Sequence, residues 1–72
     1  MLKVNGDDIW IEKSMTISEI ISKLREESYN DILLNQPFII LVNKKYIPED
    51  KYNKYKLDFG DEVTIIPYIA GG

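Results

Sequence analysis

Apolar and polar positions alternate from the start of the chain. Leu2 and Val4 flank Lys3, Asn5-Gly6-Asp7-Asp8 supplies turn chemistry, and Ile9 and Ile11 then alternate with Trp10 and Glu12. Alternation on both sides of an Asn-Gly pair is the strongest short-range hairpin signal. It predicts two strands with Leu2, Val4, Ile9 and Ile11 facing inward and Trp10 on the opposite face, as an aromatic cross-strand partner or a partner contact. The period then changes. Thr16-Ile17-Ser18-Glu19 fits a capping box, and Met15 and Ile20 have the spacing of a hydrophobic staple. Ile17, Ile20, Ile21 and Leu24 follow at helical spacing, which predicts a helix with one face on the sheet. Lys23, Arg25, Glu26 and Glu27 fall mostly on its wet side.

From Ser28 to Pro37 the pattern loosens into a connection that tucks one or two of Ile32, Leu33 and Leu34 under the sheet. Phe38-Ile39-Ile40-Leu41-Val42 is a continuous apolar run between turn residues, as expected for a strand buried on both faces. Asn43-Lys44-Lys45 leads into a short strand, Tyr46-Ile47, stopped by Pro48. Glu49 to Tyr55 reads as a polar helical turn or loop. Asp58-Phe59-Gly60-Asp61 makes a turn with Gly60 at positive φ. Val63 to Ile66 is the last strand, with Pro67 expected to end its ladder because Pro has no N–H to give. Strand-strand-helix-strand-strand-short helix-strand is the order of an α+β β-grasp roll, a mixed sheet of four to five strands with one main helix on one face. The strands that the helix joins should run parallel, in a right-handed crossover.

Composition narrows the chemistry. Seventy-two residues make one small domain, which buries only about 60–65% of its unfolded surface. The division expected is a globular unit over 1–67 and a flexible tail over 68–72. Cys and His are both absent, which removes disulfides, thiolate metal sites, Cys nucleophiles and the usual neutral-pH acid/base. The net charge is −3, with Lys interleaved among Asp and Glu. No basic stripe emerges for nucleic acid. The start reads as a strand and not as a secretion signal, and the longest apolar run is too short to span a bilayer. A cytoplasmic protein is expected. Asp7-Asp8, Asp58, Asp61 and Glu62 read as capping residues in turns and not as a metal site.

The element order, combined with the ending Asp61-Glu62-Val63-Thr64-Ile65-Ile66-Pro67-Tyr68-Ile69-Ala70-Gly71-Gly72, resembles the ThiS/MoaD sulfur carriers, the prokaryotic relatives of ubiquitin. The resemblance runs from Leu2 to Gly72. Met1-Leu2-Lys3-Val4-Asn5-Gly6, and Val42-Asn43-Lys44-Lys45-Tyr46-Ile47-Pro48 followed by Tyr52, lean towards ThiS. Phe59-Gly60-Asp61, where many members carry Asp-Gly-Asp, departs from that pattern. Pro67 and the long loop from Ser28 to Pro37 are more reminiscent of the MoaD type.

The resemblance implies a carrier and not an enzyme. An adenylating partner similar to the ubiquitin-activating enzymes would use ATP to activate the Gly72 carboxylate. A persulfide-borne sulfur, supplied indirectly by a cysteine desulfurase-type donor, would then convert it to a thiocarboxylate. The acceptor implied is thiazole synthase in thiamine production, with the large subunit of molybdopterin synthase as the alternative. No bound cofactor is implied. Gly71 and Gly72 suit threading into an enclosed site, since a Cβ there would clash and Gly permits unusual φ/ψ values. Tyr68, Ile69 and Ala70 would complete a threading tail of at most about 17 Å. Phe59, Ile65 or Ile66, and Tyr68 are the candidates for partner docking, the choice between the isoleucines depending on which faces outward. A β-grasp interaction module without sulfur chemistry, and a carrier that conjugates to Lys, are the competing readings.

Overall fold

The computed structural model describes residues 1–68. Strands β1 (Leu2–Val4) and β2 (Asp7–Ile9) form the first hairpin, and the two-residue strand β3 (Met15–Thr16) leads into helix α1 (Ile17–Glu26). A four-residue helix α2 (Asp31–Leu34) precedes the second hairpin, β4 (Phe38–Val42) and β5 (Lys45–Ile47). A 3-10 turn (Glu49–Lys51), β6 (Lys56–Leu57) and β7 (Glu62–Pro67) follow. The main sheet has the order β2-β1-β7-β4-β5, and β3 pairs with β6 in a separate two-stranded ladder. The last strand is therefore the central one. It runs parallel to β1 and antiparallel to β4. The main-sheet strands before and after α1, β2 and β4, run in the same direction but are not neighbours, because β1 and β7 lie between them.

Both hairpins turn on two residues with positive φ, Asn5-Gly6 at 48° and 86° and Asn43-Lys44 at 51° and 70°. This geometry matches the twist of the strands on either side. Asn and Gly accept it readily, whereas Lys44 adopts it against the steric preference of a Cβ. The β6–β7 turn places Gly60 at φ 89°, as its sequence predicts.

The capping box at α1 is complete. Glu19 N–H donates to Thr16 Oγ1 at 3.2 Å, and Thr16 N–H donates to Glu19 Oε1 at 2.8 Å. Ile17, Ile20, Ile21 and Leu24 face the sheet and meet Leu2, Val4, Ile40, Val42, Ile47, Val63 and Ile65 from its inner face. Ile11, Leu33, Leu34 and Leu57 close the edges. Among the described residues the core holds only Ile, Leu and Val, each contributing about 1.5–3 kcal/mol by leaving water.

Two local expectations change. The Phe38–Val42 run is buried on one face only: Ile40 and Val42 are in the core, while Ile39 and Leu41 are half-buried on the side that α1 does not cover. Strand β2 stops at Ile9, so Trp10 is not a cross-strand partner; it stands exposed beside Met15 and Lys23. The β7 ladder ends at Pro67, as expected, with Pro67 opposite Phe38; one further bond follows it, Tyr68 N–H donating to Pro37 O at 3.1 Å. Odd-numbered residues of β7 bond towards β1 and even-numbered ones towards β4. The missing N–H of Pro67 thus falls on the side where β1 has already ended, and nothing is lost.

No helix among the described residues is long and apolar enough to cross a membrane.

Candidate functional site

The site is built around the exit of β7. Alternation on a strand sends successive side chains to opposite faces, and here it separates Ile65 from Ile66. Ile65, opposite Ile40, is in the core at 3% exposure; Ile66, opposite Ile39, is 40% exposed on the outer face. Burial thus removes Ile65 from the docking candidates and settles the choice between the two isoleucines. Tyr68, one alternation further on, is 48% exposed.

Phe59 is also exposed, but it lies at the wrong end of the strand. Its turn is tied to the N-terminus, where Gly60 N–H donates to Met1 O at 2.7 Å. The six residues of β7 carry the chain about 20 Å from there to Tyr68. Phe59 is therefore not beside the tail, contrary to its expected grouping with Ile66 and Tyr68.

The register brings other residues to the exit instead. Ile39 lies opposite Ile66, Leu41 opposite Thr64, and Tyr46 of β5 opposite Leu41. Together with Ile66 they make an apolar outer face that leads to Tyr68. The sequence carries a signal for it: a five-residue apolar strand with a single helix to cover it must leave one face apolar and uncovered. Ile39 and Tyr46 of this face also line a cleft with Tyr52, Tyr68, Arg25 and Glu49. Burial, followed by the nearby Glu49 carboxylate, pushes the Tyr52 phenol above its ordinary value. The tyrosine is neutral at physiological pH.

Two asparagines hold β7 from either side. Asn43, the first turn residue of the second hairpin, accepts from Glu62 N–H through Oδ1 at 2.9 Å, and its own N–H donates to Glu62 O at 2.7 Å. Asn5, the first turn residue of the first hairpin, accepts from Ile65 N–H through Oδ1 at 2.7 Å and donates from Nδ2 to Ile65 O at 3.1 Å. Neither long-range role was visible in the sequence, where both read as turn residues.

Asp7, Asp58 and Asp61 each accept a hydrogen bond, mostly from donors distant in sequence. Asp61 accepts from Asp58 N–H and from Asn43 Nδ2, Ser14 Oγ donates to Asp58, and the Tyr29 hydroxyl donates to Asp7 at 2.8 Å. Lys3 pairs with Asp8 on the exposed surface at 2.8 Å.

Ile69, Ala70, Gly71 and Gly72, the rest of the expected threading tail, lie outside the described residues.

Known proteins converge on one family. A sulfur carrier protein, ThiS of Bacillus subtilis (strain 168), is 27% identical over 73 residues that span the whole of both chains. The crystal structure of a thiamine biosynthesis protein (ThiS) from Geobacter metallireducens superposes with a TM-score of 0.74 at 19% identity, covering 99% of this chain and 97% of that one. A solution structure of a thiamine biosynthesis protein from the same organism gives 0.65 at the same identity, over 99% and 86%. These likenesses establish the ubiquitin-like fold. The ThiS family profile matches residues 2–72, and with that match across nearly its whole length the chain belongs to the ThiS family of sulfur carriers.

Proposed function

We propose that this chain carries sulfur on the carboxylate of Gly72 and delivers it to thiazole synthesis in thiamine production. The observation that carries the reading is the family match over residues 2–72, which includes the Gly-Gly segment. Its placement after a central strand with an apolar outer face fits the same role. A terminal carboxylate has a pKa near 3.5 and is a poor acylating agent at neutral pH. The activating partner overcomes this with ATP. A Gly72 carboxylate oxygen attacks the α-phosphorus, pyrophosphate departs, and the acyl adenylate forms. The terminal sulfur of a persulfide then attacks the acyl carbon and AMP leaves. A thiol cleaves the remaining S–S bond, leaving the thiocarboxylate and a disulfide.

The chain's own contribution is the acyl group and its delivery. Ile39, Leu41, Tyr46 and Ile66 offer the adenylating enzyme a docking face from which the tail extends. Gly71 and Gly72 enter the active site without a Cβ to obstruct nucleotide or nucleophile. ATP belongs to the partner, and this protein holds no cofactor. Catalysis rests with the activating enzyme and with thiazole synthase.

Supplying the thiocarboxylated chain to thiazole synthase with its other substrates tests the destination. Thiazole formed in proportion to the carrier supports the reading. No thiazole, with the thiocarboxylate unconsumed, contradicts it.

A further inference from the structure

We infer that Asn5 is a positioning residue for sulfur loading, which it serves by fixing the direction in which β7 releases the tail. The inference rests on the sulfur-carrier reading above. Asn5 occupies a left-handed turn position at φ 48°, which Gly would fill equally well. The turn therefore does not require its side chain. That side chain instead spans sixty positions of sequence to take both backbone groups of Ile65.

The reason lies in where β1 ends. Lys3 N–H donates to Asp61 O and Asn5 N–H to Val63 O, continuing a parallel ladder along one edge of β7. The next groups on that edge are the N–H and C=O of Ile65, and there the chain has already turned away at Asn5-Gly6. The Asn5 carboxamide, with one acceptor and a donor at amide spacing, stands in for the missing rung. At the following position on this edge Pro67 has no N–H. Asn5 is thus the last tie on the β1 side among the described residues, and the corresponding tie on the β4 side is Tyr68 N–H to Pro37 O.

Leverage gives this pair of hydrogen bonds its importance. Tyr68, the last described residue, lies three positions beyond Ile65, about 10 Å along the strand. A pivot of about 10° at Ile65 would shift the point from which the tail leaves by about 2 Å over that span. Misplacing a reacting group by about 1 Å already can cost on the order of a hundredfold in rate.

The test compares the full chain with Asn5→Gly, which keeps the turn and removes both bonds, and Asn5→Asp, which keeps the acceptor alone. Adenylation by the activating enzyme is followed as ATP–pyrophosphate exchange over a range of carrier concentrations, with amide exchange at Ile65 and thermal unfolding measured alongside. Asn5→Gly should lower the maximal rate by about tenfold and leave the half-saturating concentration within about twofold, because the docking face is untouched. Its Ile65 amide should lose protection, and Asn5→Asp should recover part of the rate. An undiminished maximal rate in folded Asn5→Gly, or an Ile65 amide as protected as before, overturns the inference alone. Failure of the unmodified chain to be adenylated overturns the sulfur-carrier reading and this inference with it.

Discussion

Ile65 and Ile66 are neighbours in sequence and lie on opposite faces of the central strand, the first in the core against Ile40 and the second on the outer face against Ile39. Equal chemistry in unequal places allows a clean separation of stability from recognition. Ile65→Ala should cost about 2–5 kcal/mol of unfolding free energy, the range for deleting buried branched side chains. Ile66→Ala should cost under about 1 kcal/mol, since the residue is substantially exposed. It should instead weaken binding to the activating enzyme. Denaturant titration and binding measured on both variants check this, and equal effects on stability would remove Ile66 from the docking face.

The capping box is a local device with a local cost. Thr16→Ala leaves the Glu19 N–H without its acceptor and should destabilise the fold by about 1 kcal/mol. Glu19 also has a pH signature. Accepting hydrogen bonds from Thr16, first from its backbone N–H, holds the Glu19 carboxyl below its ordinary value. A lowered folded pKa means stability that is present above the unfolded value and lost as pH falls through the folded one. Glu19→Gln should flatten that part of the acid unfolding profile.

Tyr29 acts at the other end of the pH scale. Its hydroxyl donates to Val4 O at 3.1 Å and to Asp7, and burial, followed by the Asp7 carboxylate, pushes the phenol up to about 12. The folded pKa lies above the unfolded value of about 10, so the protonated form is favoured by folding. That contribution is complete below about pH 10 and is lost as pH rises towards 12. Chemical unfolding of the parent chain and Tyr29→Phe between these limits should show a steeper loss of stability in the parent.

Lys44 offers a gain. It sits at φ 70° in a two-residue turn after Asn43, and Asn-Gly is the pair such a turn favours. Lys44→Gly should relieve the Cβ strain and raise stability by about 0.5–1 kcal/mol net of the extra freedom Gly has when unfolded. Thermal unfolding checks the sign, and a lower melting temperature would mean that the Lys44 side chain contributes more than its backbone costs.

What could be read from the sequence was local or periodic. The Asn5-Gly6 turn, the Thr16/Glu19 box and the Ile17, Ile20, Ile21, Leu24 face each depend on residues within a few positions of one another, and each is present as read. The failures share a different cause. Helix α2 and the β3·β6 ladder are too short to carry a period. Alternation along β7 defined two faces without saying which is inward, because that depends on β4 and β1 pairing from distant parts of the chain. The same long-range register moved Phe59 away from the exit and brought Ile39, Leu41 and Tyr46 towards it. The bond from Asn5 to Ile65 spans sixty positions, and no local signal announces it.

The central claim is that Gly72 bears the sulfur. Its most direct test is intact-mass analysis of the full chain and of a variant lacking Gly72, each incubated with the activating enzyme, ATP and a persulfide sulfur donor. The account predicts that the full chain gains the mass of one oxygen exchanged for sulfur and that the shortened chain, equally folded, gains nothing. The same gain in the shortened chain, or none in the full one, would contradict it.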